Sequence, residues 1–385
     1  MDSFPQDAIS LNEALLVQRK YTLNLYADLP TLLWTPASVP YLAHINPPLW
    51  ELGHIAWFQE YFALRQPLES GVGSLLPSCR AYADALFNSN TVAHSDRWTN
   101  RYPPRVEVLD YMQAVMTRLC EAFQCGVQAE VEDGYADGLH KRHAYLMLAH
   151  EDMHQEALVM TLAALNLAMP TFVPQPRAQY EAARDIEFAG GAIEMGRHDA
   201  RRFHFDNELP PMLVHVRPFS IASQPVTATE FADFQASADY QNENCWSAAG
   251  NGWRASQTTP AFELKTQCLG LAAMHVNFFA AEAYCRAANR RLPTEAEWEF
   301  AAVNSSEFWS SVGDIWEWTA SPFTPHAGFK PGIYTEYSEP WFHTHQVLKG
   351  ASFATHLRMK YPQYRNFFKP ERADMFCGFR TCLVC

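Results

Sequence analysis

The chain lacks the long apolar runs and the basic surface charge that mark membrane-spanning and nucleic-acid-binding proteins. Nowhere in its 385 residues does a run of about 18 or more apolar residues occur, so no membrane-spanning helix is predicted. It has 29 lysines and arginines against 42 aspartates and glutamates, a net charge of -13, whereas phosphate binding requires a basic face. The sequence therefore predicts neither a nucleic-acid partner nor a membrane partner.

The sequence predicts neither a secretion signal nor a disulfide framework. The first ten residues, MDSFPQDAIS, contain neither a basic segment nor an apolar segment of the kind that directs export. The nine cysteines are odd in number, and their one CxxC pair, Cys382 and Cys385, has no second pair or histidine beside it. We therefore expect reduced thiols in a cytoplasmic protein.

The remaining composition is that of a folded protein with two domains. Hydrophobic residues make up 48% and charged residues 18%, which is a globular composition. Up to residue 168, apolar residues recur at three- and four-residue spacing, and glycine is sparse. Four segments with this spacing predict an antiparallel helical bundle over residues 1–168. They are Asn12–Leu25, Pro48–Leu64, Arg105–Phe123 and Leu139–Leu165.

A change of character follows a proline-rich linker at residues 169–184, which contains MPTFVPQP. Over residues 185–385 the sequence shows short alternating runs, many turns and one clear helical segment, which predict an α+β domain. The runs are Ile186–Met195, Leu213–Ile221 and Gln346–Lys349, and the helix is Phe278–Ala288.

The sharpest chemical feature is His150-Glu151-Asp152-Met153-His154, in the last predicted helix of the bundle. Histidines four residues apart share one helical face, so both imidazoles can reach one metal ion. Apolar residues flank the motif on both sides, which favours an inward face, where imidazoles need partners. Two surface histidines beside acidic groups, or a zinc protease with Glu151 as base, are the alternatives.

A third histidine, His54, lies on the second predicted helix, next to Gly53, which permits close approach of a neighbouring helix. Alone, His54 would more often be a core or interface histidine. Together with His150 and His154 it forms a set of three nitrogen ligands and leaves coordination positions open, as in a catalytic metal site. A third ligand upstream on another helix weakens the protease interpretation. We expect the C-terminal domain to complete the cleft.

Both halves resemble known domains. The N-terminal half resembles the DinB-type bundle, whose metal sites use one early histidine and a later HxxxH. The C-terminal half resembles the formylglycine-generating-enzyme or sulfatase-modifying domain, which is C-type-lectin-like. Its motifs are Ile221–Thr227, Arg291–Ala302 (RLPTEAEWEFAA), Gly313–Thr319, Leu348–Phe353, Tyr364–Phe367 and Gly378–Arg380. This pairing resembles the hercynine-dependent iron oxygenases: the ergothioneine sulfoxide synthases, their ovothiol relatives and the selenoneine synthases.

The resemblance implies that His54, His150 and His154 hold Fe(II). Hercynine, a sulfur or selenium donor and dioxygen would be the small-molecule partners, and a C–S or C–Se bond would form at the imidazole carbon. It also implies a proton-delivering tyrosine in the C-terminal domain, either Tyr337 or Tyr334.

Asn366 would bind the hercynine carboxylate, and Phe367 would offer an aromatic face to the trimethylammonium group. Most of the remaining C-terminal motif residues we interpret as core and loop-pinning groups.

Departures from the family bear on the donor. Phe368 stands where glutamylcysteine-using relatives have an acidic residue for the donor amine. Relatives often have a glutamine between the two histidines of the HxxxH, whereas here Glu151, Asp152 and Met153 lie there and offer no amide; Met153 and Phe368 are predicted to contact substrate. The segment Phe87–Trp98 resembles the substrate loop of the family, with Arg97 and Arg101 available to a hydroxyl-rich or anionic donor, although a loop arginine is more often a solvated charge. We predict a selenosugar donor, with glutamylcysteine or cysteine as the alternative.

Two further classes stay open: a DinB-type metal-dependent thiol S-transferase, and a non-catalytic binding module. Formylglycine generation is disfavoured because it requires a cysteine pair near Gly350–Arg365, and no cysteine lies between Cys285 and Cys377.

Overall fold

Residues 8–65, 75–133, 139–196, 203–257 and 270–384 are described by the computed structural model. The chain divides into two compact units. The helical unit comprises Met1–Phe172, Asp199–Phe203 and His356–Arg358, and the mixed unit comprises Val173–His198, His204–Thr355 and Met359–Cys385. The predicted class, a helical bundle followed by an α+β domain, is confirmed. The short segments Asp199–Phe203 and His356–Arg358 are the exceptions to a simple division along the chain.

The helical unit is built on four long helices. Helices α1 and α2 each pack against both α5 and α6, which is the arrangement of a four-helix bundle. The helices of this unit are α1 (Ala8–Leu25), α2 (Pro48–Gln59), α3 (Ala83–Phe87), α4 (Asp96–Thr99), α5 (Arg105–Asp133) and α6 (Leu139–Ala164). No described helix is long and apolar enough to cross a membrane.

Helix α2 is the most deeply placed of these helices. Pro48 begins the helix, at a position where a backbone amide would have no hydrogen-bond partner within the helix, so that its missing amide hydrogen costs nothing. Every residue from Pro48 to Gln59 is buried. A π-helical segment, Glu60–Arg65, continues it. Gly53 lies directly against the ring of Phe87, so that any side chain at residue 53 would collide with that ring. The glycine therefore allows α2 and α3 to make close contact.

The described residues of the mixed unit form three small sheets. The first is four-stranded in the order β1-β4-β10-β5, the second pairs β2 with β3, and the third is four-stranded in the order β8-β7-β6-β9. The strands are β1 (Asp185–Phe188), β2 (Gly191–Met195), β3 (Met212–Val216), β4 (Phe219–Ala222), β5 (Arg290–Arg291), β6 (Trp316–Pro322), β7 (Gln346–Gly350), β8 (Asn366–Phe368), β9 (Cys377–Gly378) and β10 (Cys382–Leu383).

Two predicted runs each turn out to contain two strands. The run Ile186–Met195 breaks after Phe188 and resumes at Gly191, because Gly190 and Gly191 have positive φ angles of 74° and 138°. The run Leu213–Ile221 breaks at Arg217 and Pro218, between β3 and β4. In both cases the two strands belong to different sheets, which local alternation could not reveal.

The prediction of one clear helix in this unit was incomplete. Phe278–Ala288 corresponds to α10 (Phe278–Ala287), and five further α-helices occur among the described residues. They are α7 (Ala228–Ala236), α8 (Ala238–Gln241), α9 (Ala248–Ser256), α11 (Glu295–Asn304) and α12 (Ser306–Ser310). The longest of them, α11, lies in the RLPTEAEWEFAA motif.

Thr294 begins helix α11 with a capping box. Its side chain accepts a hydrogen bond from the Glu297 amide, and the Glu297 carboxylate accepts one from the Thr294 amide. The same carboxylate pairs with Arg291 through two hydrogen bonds of 2.7 Å. Trp298 is fully buried in the core, beside Phe219, Ile221 and Phe308. The most specific motif of the C-terminal half therefore has a structural role over most of its length.

Candidate metal centre

The three predicted metal ligands come together in the core of the helical unit. His54 lies in α2, and His150 and His154 lie one turn apart on α6. One ring nitrogen from each lies within 4.8 Å of the others. His54 and His150 are buried, and the His154 side chain is 17% exposed, so the cluster opens on the His154 side. Metal binding by this trio remains a prediction.

The ring of His54 is held in one orientation and one tautomer. Its Nδ1 donates a hydrogen bond of 2.8 Å to the carbonyl oxygen of Phe87, so Nε2 carries the free lone pair. The indole of Trp50 stacks on the ring, with 4.7 Å between centroids and 7° between planes. Donation to a backbone carbonyl is how ligating histidines are commonly oriented.

His154 and His150 approach each other through their Nε2 atoms, which lie 3.2 Å apart. His154 donates from Nδ1 to the Glu51 carboxylate at 2.5 Å. The His150 ring stacks on Phe58, with 3.4 Å between centroids. Ring nitrogens 3.2 Å apart are within hydrogen-bond distance, and a cation can take the place of the shared proton. The arrangement therefore fits a divalent cation, and three imidazoles suit iron, zinc, copper or nickel.

Burial keeps two of these histidines neutral. It lowers the pKa of His54 to about 3, with a further lowering by the charge of His154. Burial also lowers the pKa of His150 well below its usual value, again reinforced by His154 and His54. For Glu51, burial raises the pKa, but the charge and hydrogen bond of His154 outweigh it and leave the pKa below the usual value. Neutral imidazoles beside an ionised carboxylate are the protonation states that a cation requires.

Glu151 belongs to a separate buried network and does not face the histidines as a base would. Its Oε1 accepts hydrogen bonds from Arg19 Nε at 2.9 Å and Thr22 at 2.7 Å. Its Oε2 accepts from Gln59 at 2.8 Å and from Arg19 again at 3.2 Å. A carboxylate has about four acceptor positions, and here all four are used. The zinc-protease interpretation, which needs Glu151 as a general base, is therefore disfavoured.

Asp152 ties the segment His356–Arg358 to α6. It is fully buried, accepts a 2.5 Å hydrogen bond from Gln18 and forms a 2.5 Å ion pair with Arg358. Burial raises the pKa of Asp152 to about 7, against the lowering effect of Arg358. This contact explains why the segment His356–Arg358 belongs to the helical unit.

The other candidates of the helical unit lie in different environments. The Arg97 guanidinium stacks over Trp50 at 3.9 Å from the ring centroid and donates to Asn46 Oδ1 at 2.7 Å. Burial lowers the pKa of Arg97, while the charge of Glu51 opposes this effect. Met153 is half-buried on α6, and Arg101 is exposed. Of the two arginines, Arg97 is the one placed beside the residues that hold His54.

The C-terminal candidates are grouped within the mixed unit. Asn366, Phe367 and Phe368 form strand β8, and all three are partly buried. Phe367 stacks on Phe323 with 4.1 Å between centroids, so one of its faces is already covered. The Asn366 Oδ1 atom accepts a hydrogen bond from the Phe367 amide at 2.9 Å. The amide nitrogen of Asn366 is then the group that could serve a ligand.

Of the two candidate tyrosines, Tyr337 contacts Phe367, at 5.6 Å between centroids in an edge arrangement. Its hydroxyl lies 3.2 Å from that of Tyr364. Burial raises the pKa of Tyr337 well above its usual value, and burial raises that of Tyr334 to about 12. Both hydroxyls are therefore protonated at neutral pH, and contact with strand β8 favours Tyr337.

Sequence reasoning missed Glu51, Asn46 and Trp50. Glu51 lies three residues before His54, and that spacing on a helix places it on the same face. An acidic residue one turn from a candidate ligand was thus a readable signal for a hydrogen-bond partner of a histidine. No comparable signal existed for Asn46, which reaches the site from outside the helix.

Comparison with known proteins gives matches to both halves of the chain. The sulfatase-modifying factor enzyme 1-like domain family matches residues 170–311 and 303–384, and the DinB superfamily matches residues 14–158. Hercynine oxygenase from Mycolicibacterium smegmatis is 27% identical, over 87% of this chain and 90% of that protein. Hercynine oxygenase from Mycobacterium tuberculosis is 28% identical over the same shares.

A formylglycine-generating enzyme from Streptomyces coelicolor is 24% identical, but over 48% of this chain and 83% of that protein. The similarity to hercynine oxygenases thus spans both halves, whereas the similarity to the formylglycine-generating enzyme spans about one. Together with the family matches, this shows that the chain belongs to the sulfatase-modifying factor enzyme 1-like family, joined to a DinB-superfamily domain, and is a homologue of the hercynine oxygenases.

Proposed function

We propose that this protein is a dioxygen-dependent, non-haem Fe(II) enzyme that joins a selenium or sulfur donor to the imidazole carbon of hercynine. The observation that carries the proposal is the cluster of His54, His150 and His154, with ligand atoms within 4.8 Å of one another. The similarity to hercynine oxygenases over 87% of the chain supports the same substrate class.

The three histidines would hold Fe(II) through neutral imidazole nitrogens. Bound Fe(II) would supply the one-electron chemistry that dioxygen activation needs, which zinc lacks. Three protein ligands leave coordination positions for substrates. The protein would contribute the orientation of the ligands, through the Phe87 carbonyl and Glu51, and a largely buried environment.

Hercynine would be recognised by strand β8. The Asn366 amide nitrogen would donate to its carboxylate, and the face of Phe367 that Phe323 does not cover would meet the trimethylammonium group. Tyr337 would hold the transferable proton, because it is protonated at neutral pH and touches Phe367.

A neutral selenosugar is the donor we favour. Phe368 cannot pair with an ammonium group, and the guanidinium of Arg372 lies 4.7 Å from the centroid of its ring. Arg372 is itself paired with Asp374, so the preference against the amine of glutamylcysteine or cysteine rests on the absence of a carboxylate at residue 368. Arg97, which stacks on Trp50, would donate to the hydroxyls of a sugar.

Turnover should require both Fe(II) and dioxygen. Zinc should occupy the same three nitrogens and give an inactive enzyme, because it has no redox chemistry. The measurement is product mass after anaerobic metal loading, with and without oxygen, using hercynine and each donor. Activity of the zinc-loaded protein under argon would favour a thiol S-transferase instead, a class that the same histidine trio could serve.

The donor preference should follow the charge at residue 368. An unpaired buried ammonium costs several kcal/mol, so we expect glutamylcysteine to bind roughly two to three decades more weakly than a selenosugar. Phe368→Asp should narrow this gap by supplying a carboxylate, whereas Phe368→Leu, which removes the ring without adding charge, should leave it.

The readout is competition between the two donors for hercynine, followed by mass spectrometry of the products. A wild-type preference for glutamylcysteine would replace the selenoneine proposal with that of an ergothioneine sulfoxide synthase.

A further inference from the structure

Glu51 contacts the group of three histidines but is not one of the predicted metal ligands. It is 2% exposed and lies one turn before His54 on α2. Its Oε1 atom accepts the Nδ1 hydrogen of His154 at 2.5 Å, across from α2 to α6. A carboxylate in this position selects the His154 tautomer that has its lone pair on Nε2, and that atom faces His150.

The Glu51 carboxylate is itself held by Asn46. The polar side chain of Asn46 contributes to the lowered pKa of Glu51, and its Oδ1 atom accepts a hydrogen bond from Arg97 at 2.7 Å. Because Oδ1 is engaged by Arg97, the amide nitrogen of Asn46 is the group available to donate to Glu51. Arg97, Asn46, Glu51 and His154 are thus successive polar neighbours, with hydrogen bonds between Arg97 and Asn46 and between Glu51 and His154.

A second route connects Arg97 with the other helix of the cluster. Its guanidinium lies 3.9 Å from the centroid of Trp50, and Trp50 stacks on His54 at 4.7 Å. Arg97 is therefore linked indirectly to two of the three histidines. Trp50 lies between Arg97 and His54, and Asn46 and Glu51 lie between Arg97 and His154. A single ion pair between Glu51 and His154 would not need these additional contacts of Arg97, which reach both His54 and His154.

We propose that Glu51 is a positioning residue of the metal centre, which fixes the tautomer and strengthens the donor nitrogen of His154, and that Asn46 and Arg97 hold it in place. This inference rests on the proposed function, since it assumes that the histidines bind a metal. Carboxylate partners of ligating histidines raise ligand basicity, and their loss weakens metal binding about 10- to 100-fold.

The test is a titration of the full-length apoprotein with Co(II), which reports on ligand geometry through its visible spectrum. Glu51→Gln keeps the shape and an acceptor oxygen but removes the charge, and it should raise the Co(II) dissociation constant about 10- to 100-fold. Asn46→Ala, at a half-buried position outside α2, should raise the Co(II) dissociation constant several-fold. It keeps the inference testable if Glu51→Gln does not fold. Both variants should also alter the absorption band.

Glu60→Gln is the matched control. Glu60 is also fully buried, in the segment that continues α2, but it accepts hydrogen bonds from Ser78 at 2.5 Å and Tyr111 at 2.7 Å. Its replacement should lower the melting temperature and leave Co(II) affinity unchanged. If the wild type binds Co(II) tightly and the dissociation constant is unchanged in Glu51→Gln and Asn46→Ala, the inference is overturned but the proposed function is not. An equal loss of Co(II) affinity in Glu60→Gln would have the same consequence. A wild-type protein that binds no Co(II) or Fe(II) would overturn the proposed function as well.

Discussion

Replacing His150 with alanine is expected to abolish tight metal binding and to leave the helical unit folded. Removal of one of three nitrogen ligands should raise the Fe(II) dissociation constant by more than the roughly 10- to 100-fold that follows loss of a ligand's hydrogen-bond partner. The stability change should be modest. The imidazole is 2% exposed and stacks on Phe58, so its loss leaves a cavity that costs about 2 kcal/mol.

The measurement is metal content after anaerobic Fe(II) loading and desalting, with circular dichroism as the check on folding. His143→Ala is the matched control, because His143 is also buried on α6 but lies outside the cluster. It should retain the metal of the wild type. Full metal occupancy in His150→Ala would show that the trio is not the ligand set.

Replacing Arg380 with methionine should destabilise the mixed unit by about 3–5 kcal/mol, because it leaves the Glu317 carboxylate buried without its cation. Both residues are at most 1% exposed, and Arg380 donates to the two Glu317 oxygens at 2.5 and 2.6 Å. It also donates to the carbonyls of Ala222 and Ser223 at 3.0 and 3.2 Å. Methionine fills much of the same volume but donates to none of these acceptors.

Urea denaturation followed by tryptophan fluorescence measures this loss, since Trp298 donates to the same Glu317 carboxylate at 2.7 Å. Arg286→Met is the control: Arg286 is 43% exposed and pairs with Glu282 across one helical turn, a contact that contributes about 0.5 kcal/mol or less. Adding Glu317→Leu to Arg380→Met should recover part of the loss. If Arg380→Met and Arg286→Met lower the free energy of unfolding equally, the buried ion pair contributes no more to stability than the exposed one.

Much of the architecture was predictable because it depends on local spacing. Four predicted helical segments correspond to α1, α2, α5 and α6. Their ends differ where α1 begins earlier, where α2 stops at Gln59 and gives way to the π-helical segment, and where α5 extends further. The spacing of His150 and His154 places both on one face of any helix, whatever surrounds it. The strands were harder to delimit, because the breaks at Gly190 and Pro218 direct successive strands into different sheets.

The roles of the acidic residues around the histidines could not be predicted. Glu151 and Asp152 are adjacent in the HExxH motif, yet Glu151 pairs with Arg19 from α1, and Asp152 pairs with Arg358, 206 residues further along the chain. Glu51 gained its partner His154 from a helix 103 residues away. The preference for Tyr337 over Tyr334, which stays a prediction, likewise rests on the contact of the Tyr337 ring with Phe367.

Helix periodicity and residue type thus settled the bundle, the fold class and the three candidate ligands, because backbone hydrogen bonding repeats every few residues and needs no knowledge of distant partners. Packing determined that Glu51 contacts the three histidines, whereas Glu151 and Asp152 pair with arginines from other parts of the chain. A buried charge must find a partner, and the identity of that partner is fixed only when distant segments of the chain come into contact.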